Sequence, residues 1–385
     1  MERVRNAFLI LLRSGLWGRN PMAEGFTQLS DEQWDLVSRM AERQTVTAIV
    51  FDGICRLPDE LQPSVDIITK WVAGVDRIER SNTRMNMVLK ELTGILVKGG
   101  MKPVLQKGQG IAALYPTPLH RECGDIDFYF YGEMSGKSAG HSDTHKDKAK
   151  TCNEKAAELM RSHGANVERE PDGSWSYEWK DTVIELHPAI VDLSSPDVKK
   201  WVHELDDDPG FIPSSLADGL LEPAPELNAL LLNAHILKHA LGKGIGLRQM
   251  CDLAMVYHRI SIEGKQEECG GRIARLYGRA GILKWSRLLH SFLVEVTGLQ
   301  EAELPYSEKM MPTAPLLKIV EQGGNLGKHH SGCNGDSVQT GRQGALKSKL
   351  HTAGMFFRRA GFSMRFASRE AFWTFAELAK GQFIR

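Results

Sequence analysis

The chain has 385 residues, 42% hydrophobic and 25% charged, the balance of a globular protein with room for two to three packed units. Lys plus Arg and Asp plus Glu each number 48, so the whole-chain charge gives no hint of a polyanionic partner, and nucleic acid is not expected. Six cysteines without a C-x-x-C pair argue against a disulfide framework or a cysteine zinc site and for a reducing, cytoplasmic setting.

Met1 to Gly18 imitates a signal peptide, with Arg3 and Arg5 ahead of an apolar run from Ala7 to Leu12. That run is too short, Arg13 interrupts it and no small-residue cleavage pattern follows, so an amphipathic first helix is expected. No stretch approaches the ~20 apolar residues that span a bilayer. Ser30 with Gln33 forms a capping box ahead of Trp34, Leu36 and Val37. A second helical pattern starts near Val65, resumes at Met85 and stops at Gly99-Gly100. The texture then changes. Pro103 to Leu105 reads as a short strand, Lys107 to Gly110 as a turn, Ile111 to Tyr115 as a helix and Asp125 to Tyr131 as an alternating strand. Residues 131–150 are rich in Ser, Gly, His and Lys and are expected to be a mobile loop.

Asn153 to His163 reads as a helix, and Trp175 to Trp179 pairs with Thr182 to Leu186 across Lys180-Asp181. Helical patterns return over Glu226 to Leu241, Leu247 to Ile260 and Gly271 to Thr297. The layout predicts an α+β protein in which a small mixed-sheet core, 101–205, is inserted between helical regions. These are an N-terminal region over 1–100 and a domain lining the cleft over 206–321, followed by a flexible loop over 322–348 and a basic, aromatic helical tail over 349–385. From residue 341 onward the chain has nine basic residues against Glu370 and Glu377. Its aromatics recur at helical spacing, so packing on the preceding domain leads, with peripheral contact to an anionic membrane and, behind it, nucleic-acid binding as alternatives.

The stretch Gly124-Asp125-Ile126-Asp127-Phe128-Tyr129-Phe130 carries the chemistry. On a strand, Asp125 and Asp127 share one face while Ile126, Phe128 and Phe130 share the other. Two carboxylates so close repel unless a cation sits between them, and Mg²⁺ is held through such carboxylates together with substrate phosphates. Gly124 leaves room for a phosphate chain. Glu185, between the apolar Ile184 and Leu186, shares its face with His187 and offers a third carboxylate. Three such acids suit two ions about 3.5–4 Å apart. Lys107-Gly108, after a strand and before a helix, suits a triphosphate, and Arg121 offers a guanidinium of phosphate-matching geometry.

Leu105-Gln106-Lys107-Gly108, then Tyr115-Pro116-x-Pro118, then Arg121-x-x-Gly124-Asp125-Ile126-Asp127 together resemble the bacterial uncharacterised nucleotidyltransferase family of the DNA polymerase β superfamily. Glu185-Leu186-His187 is similar to its later E-L-H strand, and His235-x-x-Lys238-His239, Gly246-Leu247-Arg248-Gln249 and Asp252-Leu253 to its downstream helices. The likeness spans roughly residues 95–260. It implies Asp125, Asp127 and Glu185 as metal ligands and catalytic acids. It also implies Lys107, Gly108, Gly124, Arg121, His187, Lys238 and Arg248 around the nucleotide. Gln109 departs from the small residue that many superfamily members carry there.

The expected reaction moves a nucleoside monophosphate, AMP before others, from an NTP such as ATP to a hydroxyl acceptor, with two Mg²⁺ ions. The acceptor is a small molecule, a glycan-related compound or a protein. The alternative is a non-catalytic relative that senses a nucleotide or binds a partner. His235 and His239 have the i,i+4 spacing of paired zinc ligands, but the glutamate of H-E-x-x-H is missing, so a polar helix face is the simpler reading. Gly242, Gly244 and Gly246 follow a helix rather than a strand and make no dinucleotide fingerprint.

Overall fold

The computed structural model describes residues 1–131, 145–170, 172–204, 210–242, 244–323 and 359–383. The loop expected over 131–150 falls largely outside these, as does all but the start of the one expected over 322–348.

Helix α1 (Glu2–Trp17) ends at Gly18. Helix α2 (Asp31–Gln44) begins with the expected box: the Gln33 N–H donates to Ser30 Oγ at 3.4 Å and the Ser30 N–H to Gln33 Oε1 at 3.0 Å. Helix α3 (Thr47–Ile54) crosses α1 so closely that a Cβ on Gly15 would lie 1.8 Å from Ile49 O, and one on Gly53 2.1 Å from Leu11 O. Only glycine permits that approach. The interrupted pattern from Val65 onward is one continuous helix, α4 (Val65–Lys98).

Among the described residues, seven strands form one mixed sheet. They are β1 (Pro103–Leu105), β2 (Asp125–Phe130), β3 (Glu168–Arg169), β4 (Trp175–Trp179), β5 (Thr182–Leu186), β6 (Phe211–Pro213) and β7 (Leu221–Pro223), in the spatial order β3-β4-β5-β2-β1-β7-β6. At the centre β2 runs parallel to β5 and antiparallel to β1. The β4–β5 hairpin has the boundaries the sequence predicts, and Lys180 and Asp181 take left-handed φ values of 50° and 57°. That two-residue turn matches the twist of the strands it joins. Strands β6 and β7 carry the sheet beyond residue 205, where the sequence reading ended the core. Three residues each and bounded by prolines, they give no alternation to read.

The alternation in β2 decides the layering. Ile126, Phe128 and Phe130 are buried in a cluster with Leu105, Ile184, Leu186 and the α4 residues Val88, Leu92 and Leu96. Each such side chain stabilises by roughly 1.5–3 kcal/mol. A one-residue slip would turn the aspartates into that core, so burial fixes the register. The short helix α5 (Gln109–Ala112) follows β1, and α6 (His145–Ser162) covers the same apolar face of the sheet.

After α7 (Pro196–Glu204) come α8 (Pro225–Leu241), α9 (Leu247–Ile262), α10 (Gln266–Ala280), α11 (Leu283–Phe292), α12 (Ala314–Gly323), α13 (Ala360–Phe366) and α14 (Ser368–Phe383). The two helical regions share one core, in which Leu11, Trp34 and Val37 join Leu230, Leu237, Trp285 and Leu289, together with Val104 and Tyr129 of the sheet. The tail packs inward through Phe366, and Arg359 donates to the carbonyls of Ala240 and Gly242 at the end of α8. Phe372 and Phe375 remain exposed. No described helix is long and apolar enough to cross a membrane.

The segment leading into β2 is braced from three sides. The Asn82 amide of α4 donates to the carbonyls of Leu119 and Arg121 at 2.7 and 2.9 Å and accepts from the Cys123 N–H at 3.2 Å. Glu122 accepts the Thr47 N–H at the start of α3, 3.1 Å away, and His120 bridges Asp52 of α3 and Glu79 of α4. The Arg121 Nε and Nη2 atoms donate to the two carboxylate oxygens of Asp252 on α9, at 3.1 and 2.7 Å, both partners being buried. Tyr115 adds its hydroxyl to Asp252 at 2.7 Å. Removing one partner of a buried pair leaves the other charge uncompensated. Asp252→Ala should therefore lower the unfolding free energy by about 3–5 kcal/mol in urea denaturation; a loss below about 1 kcal/mol would show the pair to be no brace.

Candidate functional site

Strands β2 and β5 pair with Asp127 directly beside Glu185, so the sheet carries two carboxylates on one rung. Asp127 is buried and Glu185 half-buried. His187 lies one residue past β5, where its N–H extends the parallel ladder to Phe128 O at 2.8 Å. The imidazole thereby returns to the face of Glu185, with Nε2 2.6 Å from Asp127 Oδ1 and 3.4 Å from Glu185 Oε2. Lys107, just after β1, places Nζ 3.2 Å from the same Asp127 oxygen. One oxygen thus faces an ammonium and an imidazole nitrogen.

The electrostatics follow from this crowding. Burial alone would raise the Asp127 carboxyl, but the Lys107 charge and the His187 hydrogen bond hold it far below the ordinary carboxylate range. Asp125, on the same face, is pushed upward by the charge of Asp127 and then by burial. Glu185 is raised by burial and then by Asp127. Burial would lower Lys107, yet Asp127 and Asp125 raise it and keep it charged. Among the described residues, Asp127, Glu185 and His187 form the group whose donor atoms all lie within 4.8 Å of one another. Two carboxylates and an imidazole at that spacing fit a divalent cation. The structure thus brings together Asp127, Glu185, His187 and Lys107, with Asp125 beside them but outside that set.

Gly108 has φ 65° and ψ −117°, a conformation that side chains rarely adopt, so glycine here is a backbone requirement. A Cβ on Gly124 would meet nothing within 4 Å, and its φ is not left-handed, so what it leaves is open space. Gln109 is buried with both amide atoms unpartnered and does not hydrogen-bond the Lys107-Gly108 turn.

Arg121, expected at the phosphates, is placed otherwise: its guanidinium is buried and engaged by Asp252. Its residual influence on the acids is as a nearby charge that lowers Asp125, behind Lys107 and Arg248. Arg248 is the better-placed guanidinium. Its Nη1 donates to Glu122 O at 2.8 Å, and its buried Nε has no partner among the described residues. Lys238 pairs with Asp192. On the same helix, the His235 ring lies tilted against His239, centroids 4.4 Å apart, and is driven well below the ordinary histidine value, by burial first and then by the charge of Lys107. His235 thus stands in the electrostatic neighbourhood of the site as a neutral imidazole. In the sequence it stands in the family-like His235-x-x-Lys238-His239 run and in an incomplete zinc motif, without a role at the site. Asn82 and Glu122, which brace the approach to Asp125, carried no readable signal.

A family model described as uncharacterised nucleotidyltransferase matches residues 30–140 and 147–286. Together these segments cover more than half the chain, and the protein belongs to that family. No curated protein and no solved structure matches the chain.

Lys107→Met removes the strongest influence lowering Asp127, so its carboxyl should titrate closer to the ordinary value of about 3.9. A depressed carboxylate stabilises the fold above that ordinary value and loses the contribution as pH falls through its own lower one. The variant should thus show a smaller acid-dependent loss of stability. Carboxyl carbon NMR of both proteins reads the shift, and an unmoved Asp127 would contradict the assigned cause.

Proposed function

We propose that the protein is a nucleotidyltransferase of the DNA polymerase β type, moving AMP from ATP to a hydroxyl acceptor. The rung shared by Asp127 and Glu185, beside Lys107 and Gly108, carries this reading in a chain of a nucleotidyltransferase family. Asp127 and Glu185, with Asp125 adjoining, would hold divalent cations, Mg²⁺ in the sequence reading. When bound, such ions supply charge neutralisation for the triphosphate.

The chain's own groups have separable parts. Lys107 offers a retained positive charge to the phosphates, and the Gly108 backbone makes room beside it. Arg248 supplies a second positive charge in the neighbourhood of Asp125. The acceptor oxygen bonds to the α-phosphorus as the bond to pyrophosphate breaks. Its proton passes to Asp125 or Glu185, whose proton affinity the site raises. Positioning and charge carry such reactions, which suits a site resting on a sheet rather than a loop. The acceptor is a small molecule, a glycan-related compound or a protein.

Calorimetric titration with ATP, with and without Mg²⁺, tests the reading. Metal-dependent binding should weaken more than about tenfold, or roughly 1.4 kcal/mol, in Asp125→Asn/Asp127→Asn. Labelled ATP with cell extract should then yield a labelled acceptor only with the unaltered protein. Binding that ignores both metal and substitution would instead identify a nucleotide sensor.

A further inference from the structure

His187 is the feature of the site that three carboxylates do not explain. A hydrogen-bonding partner that merely steadied Asp127 would need one contact. Instead Nε2 lies within reach of both neighbouring acids, 2.6 Å from Asp127 and 3.4 Å from Glu185. The backbone dictates this placement: the bond from the His187 N–H to Phe128 O continues the β2–β5 ladder, and two-residue periodicity returns the ring to the carboxylate face. The ring is partly exposed, at 22%, so the donor set is open to solvent on one side. Asp127 Oδ1, the oxygen nearest Nε2, also faces Lys107 Nζ at 3.2 Å, so Asp127 and Glu185 already share one compensating positive charge.

We propose that His187 is a metal ligand, joining Asp127 and Glu185 in a mixed imidazole–dicarboxylate site that takes a transition ion such as Mn²⁺ in preference to Mg²⁺. This rests on the reading above in requiring a cation at these acids, and it assigns the ion. Mg²⁺ is small, keeps its waters and is bound through oxygen, whereas imidazole nitrogen suits first-row transition ions. Affinity at a mixed nitrogen and oxygen site rises from Mn²⁺ toward the later ions of that row, so Zn²⁺ and Co²⁺ should bind there more tightly still. Asp125, on the same face of β2 as Asp127, contributes oxygen alone. Two ions, if both are held, would therefore be chemically different.

The test uses the full-length protein freed of metal by chelation and titrated with MnCl₂, with bound Mn²⁺ followed by electron paramagnetic resonance. Electron spin-echo modulation then reports any nitrogen bonded to the ion. The expected result is histidine ¹⁴N modulation in the native protein, replaced by ¹⁵N modulation after [¹⁵N]histidine labelling. In His187→Gln the nitrogen signal should vanish, Mn²⁺ affinity should fall by about tenfold or more, and Mg²⁺ affinity should change little. Should His187→Gln fail to fold, the isotope experiment on the native protein decides alone. Bound Mn²⁺ without nitrogen coupling would overturn the assignment of His187 and leave the nucleotidyltransferase reading standing. No Mn²⁺ bound, with or without ATP, would defeat both.

Discussion

Like charges on neighbouring strands repel, and the parallel pairing of β2 with β5 sets Asp127 and Glu185 on the same rung. The arrangement persists because it is fixed from behind. Ile126, Phe128 and Phe130, with Ile184 and Leu186, are buried against α4 and α6, and no other register keeps both sets of side chains where they belong. Apolar burial worth several kcal/mol holds acidic groups together at a spacing they would not choose. The remaining imbalance is met by Lys107 and His187, which converge on a single Asp127 oxygen.

The surrounding helices serve that sheet. Asn82 from α4, the start of α3 and Asp252 from α9 all grip residues 119–123, so the chain enters β2 at a set position. Arg121 illustrates how motif and role separate. A guanidinium three residues ahead of a Gly-Asp-x-Asp strand suggests phosphate, yet its geometry matches a carboxylate equally well, and here a buried aspartate on a distant helix takes it. The cation facing the acids from the helical side is Arg248, whose charge lowers Asp125.

Much of this was legible because its signals are local. The Ser30 box, the β4–β5 hairpin and the alternation of β2 each depend on residues close in sequence. Strand periodicity puts Asp125 with Asp127 and Glu185 with His187, and the family resemblance adds Lys107, although only the fold places Glu185 beside Asp127 and His187 against both. Strands β6 and β7 were missed because three-residue strands next to proline carry no period. The partner of Arg121 lies 131 residues away, and nothing in the local sequence encodes that pairing. His235 gave no sign of its neutrality either, because burial and the charge of Lys107 create it only in the folded chain.

Two strand-borne carboxylates, held side by side by a buried register, are proposed as the seat for metal and triphosphate. Anomalous diffraction from crystals soaked with Mn²⁺ and a non-hydrolysable ATP analogue examines this directly. An anomalous peak bonded to both Asp127 and Glu185 is expected, with the triphosphate reaching Lys107 and Gly108. A nucleotide bound elsewhere, or manganese that leaves Glu185 uncoordinated, would contradict it.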